Sequence, residues 1–249
     1  MRPESVACIA ALLLFSYFAK AQSIDPALFQ PKNTYSAFVE YANDSSHILL
    51  GSSPNRKFAG LGFQFERRLV ANHALTLRYA AEFRPLILES DPVSTVTVTD
   101  LSPPPTYTFV EQPQAAFLCK AGLQTLSSTD PATGVVYVQT QLTACTRRWT
   151  YAQGLSPLGI RINLRPHHRL QPTASLLTGY MLSAKKIPLD DAGSFNFTFE
   201  VGLGLELYQS PSRSIRLEYQ IQHFSNAYTA QTNYGVDNGL FKLTYNFGK

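Results

Sequence analysis

The chain has 249 residues, of which 45% are hydrophobic and 15% are charged, and its formal net charge is +4. This length suits one large β domain or two small domains. The charges are dispersed and form no basic block, which argues against nucleic acid as a partner.

The first predicted element is a secretory signal peptide over residues 1–21. Arg2 gives it a short basic start, residues 6–19 form an apolar run, and a small-residue cleavage site ends at Ala21. A membrane anchor is the weaker interpretation, because the run is short for a helix that spans a bilayer. The mature chain would then comprise residues 22–249.

The mature chain contains eight segments in which apolar and polar residues alternate with a period of two. A helix would scatter such residues around its circumference, whereas a strand sorts them onto two faces. Because no long apolar stretch remains, a helical membrane protein is excluded but a membrane β-barrel is not. The eight segments are 34–43, 60–67, 74–83, 157–164, 169–181, 195–207, 213–225 and 238–247.

Alternation alone fits both a soluble sandwich and a membrane barrel. In a sandwich the apolar face is the core, whereas in a barrel it meets lipid and the charged residues pair inside a narrow lumen. The residues expected to pair in such a lumen are Glu40, Arg78, Glu82, Arg161, Glu200, Arg216 and Glu218.

The connections between the segments favour the barrel. After the second strand, short connections (68–73, 165–168, 208–212) alternate with long ones (86–148, 182–193, 226–237). Short turns at one end and long loops at the other are typical of outer-membrane barrels, whose strand number is even. We therefore predict an all-β fold, an eight-stranded antiparallel transmembrane β-barrel over residues 22–249, in the bacterial outer membrane.

A long extracellular insertion, about 87–148, is predicted between the third and fourth strands. It is too long for an ordinary loop, and its strand-like pieces indicate a β-ribbon that projects above the barrel. It also holds Cys119 and Cys145, the two cysteines of the mature chain. In an oxidising compartment a disulfide between them is the default expectation, and two free thiols are the alternative. Neither cysteine has metal-ligand spacing.

The seventh strand ends with two polar residues, His223 and Ser225, in its apolar phase. Residues two apart on a strand point the same way and lie close together. Asp237 shares the outward phase of the eighth strand, and the connecting loop can bring it beside His223. A nucleophile, a base and a base-orienting carboxylate on one face follow the pattern of serine hydrolases. Alternatively these loop-proximal residues are simply solvated, since polar groups cost little near the lipid headgroups.

The C-terminal third resembles the lipid A 3-O-deacylase family (PagL-type), whose members are eight-stranded outer-membrane barrels. That family carries a His-x-Ser-Asn-Ala block on its penultimate strand, an Asn-x-Gly in the next loop, and a catalytic acidic residue twelve positions after the serine. The matching residues here are His223-Phe224-Ser225-Asn226-Ala227, Asn233-Tyr234-Gly235 and Asp237. A looser resemblance covers roughly residues 34–247 and fails in the insertion.

The resemblance implies that Ser225 is the nucleophile, His223 the general base and Asp237 the acid that orients it. Asn226 and Asn233 become candidates for stabilising the oxyanion. The family commonly has glutamate at the position of Asp237, although aspartate serves in other serine triads.

The activity implied is removal of the ester-linked acyl chain at the 3-position of lipid A, without a cofactor or a metal. The expected partners are lipid A or lipopolysaccharide as substrate and the lipid of the outer membrane, with a homodimer left open. The alternatives are an esterase that acts on phospholipid and a non-catalytic barrel with a structural or adhesive role.

Overall fold

The computed structural model describes residues 29, 31–42, 55–102, 106–111, 114–115, 119–187, 192–233 and 235–248. The signal peptide predicted over residues 1–21 lies outside the described residues. No helix in these described ranges is both long enough and apolar enough to span a membrane.

The described residues form eleven β-strands. They are β1 (Asn33–Ala42), β2 (Lys57–Ala71), β3 (Leu75–Ser102), β4 (Tyr107–Val110), β5 (Gln114–Ala115), β6 (Gly122–Thr129), β7 (Val136–Leu164), β8 (Leu170–Ile187), β9 (Gly193–Ser210), β10 (Arg213–Ser225) and β11 (Val236–Gly248). The eight segments predicted from alternation correspond to β1, β2, β3 and β7 to β11.

Eight of the strands close into an antiparallel ring. Their order is β3-β2-β1-β11-β10-β9-β8-β7, and β7 pairs back with β3. The first and last strands meet at Tyr35 and Phe247, and β3 meets β7 at Leu77 and Ile162. Closure satisfies the backbone hydrogen bonds of every strand in the ring, as a segment surrounded by lipid requires.

The outside of the ring is apolar and the inside is charged. On β10, Leu217 is 55% exposed, whereas its neighbour Arg216 is fully buried. The same alternation runs along β9, where Phe199 is exposed and Glu200 is buried. Large apolar side chains on the outside and charges within are the reverse of a soluble sandwich and fit a membrane barrel.

The lumen is filled by ion pairs, as the alternation predicted. In one cluster, Glu66 Oε1 lies 2.9 Å from both Arg161 Nε and Arg216 Nη1. In a second cluster, Arg84 Nη2 lies 2.6 Å from Glu200 Oε2. All of these side chains are almost completely buried, so the charges neutralise one another inside the barrel.

The predicted insertion continues the barrel wall as a β-ribbon. Strands β3 and β7 extend past the ring and stay paired as far as Ser102 and Val138. Strands β4 and β5 pair with β3, and β6 pairs with β7, which widens the ribbon. Cys119 and Cys145 are joined by a disulfide within this region, with their Cα atoms 5.8 Å apart.

Short turns join the strands at the other end of the ring. They lie at residues 72–74, 165–169 and 211–212. The insertion and the connection from β10 to β11 therefore share the opposite end, which we call the loop end.

A hydrophobic cluster fills the interior of the barrel at the loop end. It consists of Ala42, Phe58, Ile87, Ala152, Met181, Ile187, Phe224, Val236 and Leu240. Because Phe224 lies between His223 and Ser225 in sequence, this inner packing directly supports the strand segment that carries the candidate site.

Candidate active site

The candidate site lies on the outer face of the barrel, where β10 ends at the loop end. His223 is paired across the sheet with Asp237 of β11 on one side and with Phe199 of β9 on the other. Ser225, at the last position of β10, is paired with Phe197. The residues singled out by the strand phase therefore share one small patch of the outer wall.

His223 and Asp237 form a hydrogen bond, with 2.7 Å between His223 Nδ1 and Asp237 Oδ1. The Asp237 side chain is completely buried, whereas that of His223 is 16% exposed. The two residues are direct cross-strand partners, whose Cβ atoms typically lie about 4.5–5.5 Å apart. An aspartate is long enough to bridge this gap, so Asp237 reaches His223 although the related family commonly has the longer glutamate at this position.

The hydrogen bond to Asp237 also selects one state of the imidazole. An ionised carboxylate can only accept a hydrogen bond, so His223 Nδ1 carries the hydrogen. In the neutral ring Nε2 is then an acceptor, which is the form that a general base needs.

The inner side of the site is firmly packed. Phe224 is fully buried, and the guanidinium of Arg56 lies 5.8 Å from the centre of its ring. Arg56 is itself held by Glu89 and Asp91, at 3.2 and 2.5 Å. Ser225 is half-buried on the opposite, outer side of the strand. Packing behind Phe224 thus limits the movement of the residues on either side of it.

Asn226 organises the loop that follows the strand. Its backbone N–H donates to Asn233 Oδ1 at 3.0 Å, and its Nδ2 donates to the carbonyl of Thr232 at 2.6 Å. Its Oδ1 accepts a hydrogen bond from the backbone N–H of Tyr228 at 2.9 Å. Both ends of the Asn226 amide are thus bonded to the loop itself.

Asn233 differs from Asn226 in which of its side-chain amide atoms form hydrogen bonds within the loop. A backbone N–H can only donate, so the atom of Asn233 that faces Asn226 must be the oxygen. Its NH2 group is the end that the described loop contacts leave unused. Of the two predicted oxyanion candidates, Asn233 thus retains the donor that such a role requires.

The loop begins with a tight turn in an uncommon conformation. Ala227 and Tyr228 have φ angles of 50° and 62°, and the Thr229 N–H donates to the Asn226 carbonyl at 3.0 Å. Two consecutive left-handed residues closed by this bond form a type I′ turn. Such strain in residues other than glycine persists where the surroundings hold it, and it is concentrated at functional sites.

A groove of about 470 Å³ lies beside the end of β10. It is bordered by Lys186 of β8, Gly193 and Phe195 of β9, and the loop residues Thr229 and Gln231. The alternation pattern does not predict this groove, because it assigns residues 182–193 to a loop.

An irregularity in strand pairing opens the groove. Leu182 pairs with Phe195 and Ile187 pairs with Gly193, so residues 183–186 of β8 face only Ser194. Extra residues on one strand bend it away from its partner, and such bulges often border active sites.

Aromatic rings line the outer wall between the groove and Ser225. The rings of Phe195 and Phe197 are 5.2 Å apart in an edge-to-face arrangement, and Tyr180 stacks on Phe195 at 5.7 Å. Because Phe197 is the cross-strand partner of Ser225, this surface offers apolar contact directly beside the hydroxyl.

The structure also brings together two histidines that the sequence kept apart. His73 Nδ1 and His167 Nε2 lie 3.1 Å from each other across two short turns, at the end opposite the candidate site. The two residues are 94 positions apart in sequence, so the sequence alone does not predict this contact. In the parts of the chain that the structure describes, no group of three or more His, Cys, Asp or Glu side chains is arranged to hold a metal ion.

The family described as "Lipid A 3-O-deacylase (PagL)" matches residues 124–246, a range that includes His223, Ser225 and Asp237. No curated protein sequence matches the chain.

The chain is also similar to solved structures, at low identity. The crystal structure of Neisserial surface protein A (NspA) has a TM-score of 0.42 and 10% identity, over 88% of this chain and 97% of that one. The outer membrane protein OprG from Pseudomonas aeruginosa has the same score and identity, over 90% of this chain and 100% of that one.

The family match and the closed barrel with its apolar outer face agree with each other. The match confirms the resemblance to the lipid A 3-O-deacylase family over residues 124–246, and the protein is a β-barrel of the bacterial outer membrane.

Proposed function

We propose that the protein is a serine esterase that removes the ester-linked acyl chain at the 3-position of lipid A. One observation carries the proposal: the 2.7 Å hydrogen bond between His223 and Asp237 on the outer wall, beside Ser225. A polar group on a lipid-facing wall is costly unless it has a partner or a task. An ester inside the same lipid layer supplies the task.

In the first half of the reaction Ser225 is acylated. Its Oγ bonds to the ester carbonyl carbon while its proton passes to His223 Nε2. The bond between that carbon and the sugar oxygen then breaks, and the leaving oxygen takes the proton from His223. Asp237 stabilises the imidazolium that forms between these steps and keeps the ring in its productive orientation.

In the second half water releases the acyl chain. A water molecule gives a proton to His223 Nε2 and attacks the acyl-enzyme carbonyl, and Ser225 leaves with that proton. The products are a free fatty acid and a lipid A with a free 3-hydroxyl group. All groups in both halves come from the chain, the substrate and water, so the proposal needs no cofactor.

Stabilisation of the oxyanion is assigned to Asn233. Its NH2 group is the donor that the contacts among the described loop residues leave unused, whereas the amide of Asn226 holds the loop together. Removing one donor of this kind typically costs about 10²–10³ in turnover. Asn226 acts on the same step by fixing the position of Asn233.

The position of the site also gives the barrel an orientation. Lipid A lies in the outer leaflet, so the loop end of the barrel, with the candidate site and the insertion, would face the outside of the cell. The exposed rings of Phe195 and Phe197 would then lie among the acyl chains beside Ser225.

Mass spectrometry of lipid A is the direct test. Cells that express the folded protein should lose the mass of one hydroxyacyl chain from lipid A, and cells that express Ser225→Ala should not. Release of fatty acid with unchanged lipid A would instead identify an esterase that acts on phospholipid. Unchanged lipid A and no released fatty acid would identify a non-catalytic barrel.

A further inference from the structure

We propose that the groove bordered by Lys186 is the subsite for a phosphate group on the sugar headgroup of the substrate, with the Lys186 ammonium as its ligand. This inference rests on the proposed function and extends it from the ester to the headgroup. It assigns a task to a cavity that the chemistry at Ser225 does not itself use.

The groove is continuous with the candidate site. Gly193 forms part of its border, and a Cβ added there would lie 3.2 Å from the Cβ of Asn226, the residue after Ser225. Phe195, on the same border, contacts Phe197, which is the cross-strand partner of Ser225. A lipid whose ester lies at Ser225 can therefore extend its headgroup into the groove.

The position of the groove matches the layering of a lipid. The outer-wall residues on one side of Ser225, such as Phe199 and Leu217, are apolar and exposed, as side chains among acyl chains would be. On the other side, beyond the end of β10, the groove is bordered by Lys186, Thr229 and Gln231. In the proposed orientation, charged and hydrogen-bonding groups thus begin on the side where the headgroup layer of the membrane would lie.

Lys186 differs from the neighbouring cations at this rim. Arg147 donates to the Ser90 carbonyl at 2.7 Å, Arg148 donates to the Lys186 carbonyl at 3.0 Å, and Lys185 Nζ lies 3.5 Å from the Trp149 carbonyl. Within the described ranges, the Lys186 ammonium has no hydrogen-bond or ion-pair partner. Among the described residues that border the groove, Lys186 is therefore a cation available to an anion.

The backbone around Lys186 is held in place. Arg148 binds the Lys186 carbonyl, and Ser183 Oγ donates to the Lys185 carbonyl at 2.6 Å. The four-residue irregularity in β8 therefore has a defined shape and presents Lys186 at the groove. A flexible lysine on a fixed backbone suits a phosphate, which an ammonium binds as a point charge.

The test compares two substrates that differ only in phosphate. Lipid A and lipid A whose phosphate groups have been removed are presented in the same detergent micelles, and initial rates of hydroxyacyl release are measured. We expect the parent protein to prefer the phosphorylated substrate on the order of fivefold, the upper range for an exposed ion pair. Lys186→Gln should remove the preference by raising KM for the phosphorylated substrate alone, and Lys186→Arg should keep it.

Lys185→Gln is the matched control, because it removes the same charge from the adjacent residue. It should leave the preference intact. An equal loss in Lys185→Gln and Lys186→Gln would show a general electrostatic effect and would overturn the subsite. An equal loss on both substrates would also overturn it, because Lys186 would then not act through phosphate.

A binding measurement tests the phosphate subsite independently of the proposed esterase activity. Immobilised Ser225→Ala protein is offered both lipids in micelles, with and without the additional Lys186→Gln change. Preferential capture that depends on Lys186 supports the subsite even if the parent protein hydrolyses neither lipid. Loss of that preference when inorganic phosphate is added at the lipid concentration would indicate a site for free phosphate and would refute the headgroup assignment.

Discussion

Strands β10 and β11 carry two pairs of a carboxylate and a base in direct register, one on each face of the barrel wall. Facing the lumen, Glu218 lies opposite Lys242. Facing outward, Asp237 lies opposite His223. The two pairs share strands, and they differ in what surrounds them.

In the lumen both members of the pair contact further charges. Glu218 contacts both Arg161 and Arg216, and Lys242 Nζ lies 2.5 Å from Glu82 Oε1. On the outer wall the partly exposed His223 retains a ring nitrogen for a second partner, and Ser225 follows two residues later. A buried pair that is enclosed by other charges fills the lumen, whereas a pair with one group facing outward has room for a further partner.

The strongest test of this contrast is Ser225→Ala. Without the hydroxyl the outer pair has no nucleophile to activate, so we expect deacylation to fall roughly 10⁴-fold or more, as in serine hydrolases that lose a triad member. The barrel should stay folded, since Ser225 is half-buried at a strand end. Rates of hydroxyacyl release and the gel shift between heated and unheated protein measure the two effects.

Ser210→Ala, at the opposite end of the neighbouring strand, is the control for serine removal. It should keep both the activity and the gel shift. Deacylation by Ser225→Ala at the parent rate would remove Ser225 from the nucleophile role.

The second prediction concerns the carboxylate of the outer pair. Asp237→Asn cannot stabilise the imidazolium, so we expect turnover to fall roughly 10²–10⁴-fold. Asp237→Glu should fall less and should still be slower than the parent, because an added methylene must fit into a fully buried position. Initial rates on folded variants are the measurement.

Asp130→Asn, in an exposed turn of the insertion, is the control for loss of a carboxylate. An Asp237→Asn rate equal to the parent rate would mean that another group orients His223.

The sequence predicted the ring of strands because the period of two recurs in eight segments, most clearly over residues 195–207 and least clearly over 169–181. It predicted the contact between His223 and Asp237 because two antiparallel strands joined by one loop have few registers. It could not predict the groove at Lys186, which depends on a local mismatch between β8 and β9. It also could not separate the roles of Asn226 and Asn233, because those roles depend on which amide atoms the loop uses.

The third prediction tests the inner pair. Glu218→Gln leaves Arg161 and Arg216 without one of their buried carboxylates, and breaking a buried pair costs about 3–5 kcal/mol. We expect the free energy of unfolding in detergent and urea to fall by that amount, whereas the folded fraction should deacylate lipid A at the parent rate. Glu111→Gln, at an exposed position of the insertion, should change neither quantity.

A Glu218→Gln protein that is as stable as the parent would show that the lumen network tolerates an unpaired charge. A folded variant with a large loss of turnover would show that the two faces of the wall are coupled.

The smallest effect on activity is expected in the insertion, which belongs to neither face. The disulfide between Cys119 and Cys145 closes a sequence separation of 26 residues, which corresponds to about 3 kcal/mol in the chain-entropy model. Replacing both cysteines by serine should therefore speed protease cleavage of the insertion. Deacylation should stay within about twofold of the parent rate, because sites without shared contacts act independently.

Thiol labelling of the intact parent without reductant checks the bond, and two labelled cysteines would contradict it. A tenfold loss of deacylation in the double variant would show that the ribbon helps to form the active site. The activity of the outer face would then depend on the insertion as well as on β10 and β11.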